Sequence, residues 1–282
     1  MSLLSAKAPT RRQVEIVDWL REKGRVTVED LAAHFAVTPQ TIRRDLNDLS
    51  DAQMVVRVHG GAMVASGVVN LAYEARKLIA GPHKRLIGEA AARLVPDHSS
   101  VFLTIGTTTE EVARALGGHA GLLVITNNLQ VAAELYRNSN IEVVVTGGSV
   151  RHGDGGIVGA QSEALIAQFR VDLAVIGTSA IDGDGTLLDF DIREVQAQRA
   201  IIDHARRVVL VADSSKFHRS APVRVAHLEE IDILVTDHLP EATAELCRQY
   251  GVQVVEAGGP LDEALQGPGV PASDDEGELG SG

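Results

Sequence analysis

The chain has 282 residues, 45% of them apolar and 3% aromatic, with a single cysteine and a formal net charge of −12 at pH 7. A chain of this length holds two domains of ~150 residues, no apolar run reaches the ~18 residues of a membrane span, and Cys247 alone excludes an internal disulfide. The segment MSLLSAKAPTRR carries neither a continuous apolar stretch nor a small-residue cleavage site, so the cytoplasm is the expected compartment.

The charge is uneven. Residues 1 to 60 hold nine Lys or Arg against eight Asp or Glu, leaving 17 against 30 in the remainder, so the acid that argues against nucleic-acid binding lies beyond the N-terminal unit. There an amphipathic helix is expected from Thr10 to Lys23, with Val14, Val17 and Leu20 on one face and Gly24 as its C-terminal cap. A second begins at Thr27, with Asp30 completing a capping box and Leu31 and Phe35 facing the core. After Ala36-Val37, Thr38 is an N-cap and Pro39 occupies the first position of a third helix.

On that helix Ile42, Leu46 and Leu49 share one stripe, while Gln40, Arg44 and Asn47 point the opposite way, flanked by Thr41 and Arg43. Gln can pair with adenine and Arg with guanine in the major groove, and Arg43 can instead grip phosphate. Two helices alone fit a plain hairpin with a solvated face equally well. The run Met54 to Gly61 tips the balance: it reads as a strand and a glycine turn with Arg57 and His59 at alternate positions, the makings of a wing on the phosphate backbone, although His59 taken alone is an ordinary turn residue.

The pattern Thr38-Pro39-Gln40-Thr41-Ile42-Arg43-Arg44-Asp45-Leu46, followed by Arg57-Val58-His59-Gly60-Gly61-Ala62, resembles the winged helix-turn-helix of the DeoR family of bacterial regulators. The resemblance implies a repressor that binds operator DNA as a homo-oligomer, with DNA contacts at Thr38, Gln40, Thr41, Arg43, Arg44, Asn47, Arg57 and His59.

Residues 9–64 are therefore expected to form the DNA-binding domain and 65–85 a linker, in which Gly67, Gly81 and Pro82 act as breakers and Tyr73 to Leu78 can form a short helix. Over 86–257, apolar runs at Val101 to Ile105, Leu122 to Thr126, Ile141 to Thr146, Leu173 to Gly177, Val208 to Ala212 and Ile231 to Thr236 read as doubly buried strands. Helical patterns at Glu110 to Leu116, Leu129 to Tyr136, Glu194 to Ala205 and Glu241 to Tyr250 alternate with them. The fold class is α/β, with a mostly parallel sheet behind the winged unit. Residues 258–282, rich in Gly, Pro and acid, read as a disordered tail.

Strand ends suggest where a ligand sits. Gly106-Thr107-Thr108-Thr109 offers backbone N–H groups and hydroxyls at a helix start, suited to an anion or simply to capping. Asn127 and Asn128, then Gly147, end the next two strands, and ligands of open α/β sheets lie outside the carboxyl ends of strands. Thr178 and Ser179 follow another strand; Lys216 follows the next and is either a phosphate partner or a surface lysine.

This region is similar to the DeoR sensor domain, which implies the fold of ribose-5-phosphate isomerase and a phosphorylated sugar or polyol effector. The resemblance is sharpest at Asp154 to Gly159, Ser179 to Asp182 and Leu187 to Val195, where it implies glycerol 3-phosphate as effector, although Ile192 stands where the subgroup is expected to have an aromatic residue. The effector residues so implied are Gly106, Thr107, Thr108, Thr109, Asn127, Asn128, Gly147, Thr178, Ser179, Asp189, Asp191 and Lys216.

An isomerase-like enzyme fused to a DNA-binding module is the rival reading. Ile176, Ser179 and Ala180 occupy the loop where such an isomerase carries acids, while Asp189, Asp191 and Glu194 nearby suit hydroxyl contacts, salt links or residual acid–base work. Without His-x-x-x-His, Cys-x-x-Cys or G-x-G-x-x-G spacing, no metal or cofactor is expected.

Overall fold

A computed structural model describes residues 10–23, 25–51, 54–58, 60–64, 73–78 and 80–258. The N-terminal unit runs α1 (Arg11–Lys23), β1 (Arg25–Thr27), α2 (Val28–His34), α3 (Pro39–Asp51), β2 (Val55–Val58) and β3 (Gly61–Val64). Ile16, Val17 and Leu20 of α1 meet Leu31 of α2 and Ile42, Leu46 and Leu49 of α3 in one buried cluster. Val14 is only half-buried, and Ile16, one turn before Leu20, lies in the core in its place.

Both expected N-caps form. The Thr27 hydroxyl accepts from Asp30 N at 3.1 Å and donates to the Asp30 carboxylate at 2.6 Å, so Asp30 reaches back to the side chain of its cap. Thr38 Oγ1 accepts from Thr41 N at 3.2 Å.

Beyond the expected wing strand, the chain turns at Gly60 (φ +76°) and returns as β3, the middle strand of an antiparallel sheet ordered β1-β3-β2. A Cβ on Gly61 would lie 2.1 Å from the carbonyl oxygen of Val26, so only glycine lets β3 approach β1 here. Gly24, His59, Gly67 and the acidic tail from residue 259 onward lie outside the described residues.

Asp45 ties the first and third helices together. It is buried on α3 and accepts from Arg12 Nε at 2.7 Å and Gln13 Nε2 at 3.3 Å. Asp45→Ala leaves Gln13 without that acceptor and is expected to cost about 1–2 kcal/mol. Trp19, the single tryptophan, stacks on His34 at 4.3 Å within this unit. Urea unfolding followed by its fluorescence should show an earlier midpoint in the variant, and an unchanged midpoint would dismiss the tie.

After α4 (Tyr73–Leu78), the C-terminal unit runs α5 (Gly81–Ala92), β4 (Ser100–Leu103), α6 (Thr107–Ala115), β5 (Leu122–Thr126), α7 (Leu129–Leu135) and β6 (Ile141–Val145). Next come β7 (Ser149–Val150), β8 (Ile157–Val158), α8 (Ala160–Ile166), β9 (Val171–Ile176), β10 (Ala180–Ile181), β11 (Thr186–Asp189) and α9 (Ile192–Asp203). It closes with β12 (Ala205–Val211), β13 (Val223–His227), β14 (Ile233–Thr236), α10 (Glu241–Tyr250) and β15 (Gln253–Glu256). Helix α4 matches the short connecting helix expected there. Helix α5 starts inside the stretch expected as linker, because Pro82 in its first turn costs no helical hydrogen bond.

Seven parallel strands form the sheet β15-β14-β12-β9-β4-β5-β6 among the described residues. Alternate strand residues feed opposite cores: Val101 and Leu103 pack with α5, α6 and α7, and Phe102 with α8, α9 and α10. The chain builds outward from β4 through β5 and β6, then returns to the other side of β4 with β9. In open α/β sheets such a reversal marks the place outside the carboxyl ends of the strands, here β4 and β9, where ligands bind. The hairpin β7-β8, the antiparallel trio β10-β11-β13, helix α8 and edge strand β15 add to the elements expected from periodicity.

Candidate nucleic-acid interface and effector site

Helix α3 presents Gln40, Arg43, Arg44 and Asn47 to solvent, with Thr38 exposed at its start and Thr41 half-buried. Arg57 of the wing does not reach away from the helix. Its Nη1 donates to Asn47 Oδ1 at 2.6 Å and to the Arg43 carbonyl at 3.3 Å, joining two residues that the sequence suggests as separate DNA contacts. Strand β2 thereby braces the far half of α3. Arg43 stands 4.0 Å from the Glu29 carboxylate. Gln40 and Arg44 make no hydrogen bond or ion pair with the described residues, and both border a groove at the start of α3. Arg12 borders it too, unsuspected from sequence because α1 reads as scaffold.

In the second unit, Gly106 opens α6 with φ +155° and ψ +147°, a backbone region that favours glycine. A Cβ there would stand 3.2 Å from Thr109 Oγ1. The Thr109 hydroxyl donates to the carbonyls of Thr104 at 2.8 Å and Gly106 at 2.7 Å, so it closes the loop rather than facing a ligand. Thr107 and Thr108 are buried in the same turn.

Asn128 caps α7 by accepting from Gln130 N at 2.9 Å. Thr178 Oγ1 donates to the carbonyls of Ala180 and Leu188, each at 3.0 Å, and Ser179 to Asp189 at 3.1 Å. These side chains shape the loops. Gly147 is exposed, and Asp191 caps α9 by accepting from Arg193 N at 3.0 Å. Asn127 differs: its amide nitrogen donates to Ile157 O at 3.2 Å, while its buried Oδ1 has no hydrogen-bond partner among the described residues.

Around Lys216 the structure assembles a cluster of charges. Desolvation pushes its ammonium down to about 7, against the pull of Asp213 and with the positive charges of Arg219, Lys84 and Arg76 close enough to add to the effect. Lys84 of α5 lies 3.9 Å from Asp213. Arg76 of α4 donates to Asp154 at 3.3 Å, yet its buried Nε has no acceptor among the described residues. Arg151 donates to Asp154 at 2.5 Å, to Asp191 at 3.4 Å and to Glu194. Glu194 is pushed up by burial and by the charge of Asp189, with Arg151 and Arg76 opposing.

Gly106, Gly177 and Asp213 follow β4, β9 and β12, three adjacent strands, so their loops lie within ~10 Å of one another at ~4.8 Å per strand. Arg76, Lys84, Arg151 and Arg219 belong to this charge cluster and were not singled out from the sequence. A single arginine or lysine on a helix or loop reads as solvated surface, and only the tertiary fold gathers these four.

An exposed recognition helix braced by a wing, followed by an α/β unit with a desolvated cluster of charges at its strand ends, defines a DNA-binding transcriptional regulator. Two family models cover nearly all of the described chain: a DeoR-like helix-turn-helix domain over residues 12–68 and a DeoR C terminal sensor domain over residues 80–238. The chain belongs to the DeoR family.

It is 42% identical over 231 residues to the glycerol-3-phosphate regulon repressor of Escherichia coli, covering 82% of this chain and 92% of that protein. It is 43% identical over 244 residues to the repressor of the same description from Haemophilus influenzae, covering 86% and 95%. The chain is a regulator and not an enzyme, in keeping with these relatives. Among solved structures, ribose 5 phosphate isomerase A from Neisseria gonorrhoeae aligns with a TM-score of 0.36 and 15% identity over 48% of this chain and 52% of that one. No described helix is long and apolar enough to cross a membrane.

Proposed function

We propose that this regulator represses glycerol or related carbohydrate genes by holding operator DNA, and that a phosphorylated polyol or sugar, with glycerol 3-phosphate favoured, releases it. Base reading falls to Gln40 and Arg44, with Thr38, Thr41 and Arg43 on the backbone and Asn47 with Arg57 fixing the wing against the helix. His59, at the wing tip by sequence, completes the set.

The observation that carries the effector reading is the cluster of Lys216, Lys84 and Arg76 at the same sheet edge as the Gly106 loop, where the buried Arg76 Nε has no acceptor among the described residues. A phosphate oxygen would supply one, while the N–H groups of Gly106, Thr107 and Thr108 at the start of α6 favour the same anion. The free Oδ1 of Asn127 suits a polyol hydroxyl, as do Asp189 and Asp191. Thr109, Asn128, Gly147, Thr178 and Ser179 shape the loops around it. Two copies matching operator half-sites ~34–36 Å apart give a homo-oligomer on DNA, working in the cytoplasm.

The test is fluorescence anisotropy of a labelled promoter fragment from glycerol genes, titrated in turn with glycerol 3-phosphate, fructose 6-phosphate and glycerol. Release by glycerol 3-phosphate and not by glycerol is expected. Tight DNA binding that no phosphorylated compound reverses would defeat the reading.

A further inference from the structure

The repressor reading leaves open which contact carries the signal from the effector crevice to the DNA-binding unit. Helix α4 is the first described element after the wing strand β3, and residues 65–72 are the only chain between them. It docks on the sensor through two acids, Asp154 bound by Arg76 and Glu110 bound by Tyr73 and Lys77, and the second lies on α6. Tyr73 Oη donates to the Glu110 carboxylate, at 2.9 Å from Oε1 and 2.8 Å from Oε2. Lys77 Nζ stands 4.0 Å from the same carboxylate and 4.5 Å from the centre of the Tyr73 ring.

Glu110 is buried in the first turn of α6, where its N–H bonds to Gly106 O at 3.1 Å. One carboxylate therefore joins the linker helix to the helix that the Gly106 loop opens.

We propose that Glu110 is a positioning residue that holds α4 in the DNA-competent arrangement through Tyr73, and that an effector phosphate at the start of α6 breaks this anchor. The inference rests on the effector reading above. A phosphate dianion beside the first turn of α6 places like charge within a helical turn of a buried carboxylate, in surroundings where screening by water is weak. Burial already pushes the Glu110 carboxyl up, with Tyr73, Lys77, Asn128 and Arg114 holding it back, so little further negative charge is tolerated. The carboxylate is displaced from Tyr73, and α4 follows it.

The test uses the full chain, glycerol 3-phosphate and inorganic phosphate as probes, calorimetry for binding and operator anisotropy for release. Tyr73→Phe keeps the ring under Lys77 and removes the hydroxyl. It is expected to weaken operator binding without effector about 10-fold and, by reciprocity, to tighten glycerol 3-phosphate binding by a similar factor. A hydroxyl that only stabilised the fold would not tighten the effector. Glu110→Gln keeps a hydrogen-bonding group for Tyr73 but removes the charge, so it should bind the phosphate at least as tightly as wild type while releasing operator less than 3-fold.

Wild-type release combined with wild-type behaviour of both variants overturns the anchor alone. If neither probe binds the wild-type protein, the effector reading falls and the anchor with it.

Discussion

Lys216→Met should leave a repressor that binds operator as tightly as wild type and no longer lets go. The methionine keeps most of the side chain's length and removes only the ammonium. Loss of one charged contact to phosphate corresponds to about 1.5–3 kcal/mol, so effector binding should weaken ~10- to 100-fold.

The wild-type lysine also makes a prediction in pH. Its ammonium titrates near 7 instead of 10.5 because desolvation outweighs Asp213. The folded state then binds fewer protons than the unfolded chain between those values. Stability therefore rises with pH across that window, and the full cost of burying the charge is present below 7.

A bound phosphate reverses this balance by stabilising the ammonium. At pH 8 effector binding should take up close to one proton, visible as a calorimetric enthalpy that differs between HEPES and Tris buffers. Phosphate monoesters lose their second proton near pH ~6, so they are already dianionic there and do not compensate. Affinity should fall as pH climbs past 7, and Lys216→Met should abolish both the buffer dependence and this fall. Buffer-independent binding by wild type would remove Lys216 from the site.

Arg44→Ala is expected to do the opposite, weakening operator binding while leaving the effector untouched. A bidentate contact to guanine discriminates by ~1–3 kcal/mol, so a loss of ~10- to 100-fold should concentrate at one base pair of each half-site. Mutating that base pair should cost the variant nothing further. Arg57→Ala provides the contrast: its guanidinium braces Asn47 and the Arg43 carbonyl, so weakening should be similar across sequences. If Arg44→Ala retained full discrimination, the reading face would have to be reassigned on α3.

The recognition helix was legible because its signals are local. Thr38 caps, Pro39 opens the first turn, and the stripe of Ile42, Leu46 and Leu49 is wholly internal, as the 3.6-residue period requires. The doubly buried strands were legible for the same reason, and β5 runs from Leu122 to Thr126 as its apolar run predicts.

What escaped depends on partners far along the chain. Strand β3 reads only as the far side of a glycine turn until β1 and β2 flank it, and the two residues of β10 become a strand only beside β11. The crevice was half legible: glycines and hydroxyls at strand ends marked its rim, but Arg76, Lys84 and Arg151 come from separate elements. The threonines and asparagines expected at a ligand also serve the loops themselves. The hydroxyls of Thr109 and Thr178 and the carbonyl of Asn128 hold backbone groups that would otherwise be unpaired.

The order of the sheet also bears on how the regulator is born. The buried core of the winged unit lies within residues 16–62, whereas the crevice needs loops after β4, β9 and β12, the last of them ending in Lys216. At ~5–20 residues per second a ribosome takes on the order of ten to thirty seconds to travel from one to the other. The reading head is thus finished while the receptor is still being written, and a newborn chain learns to hold on before it can be told to let go.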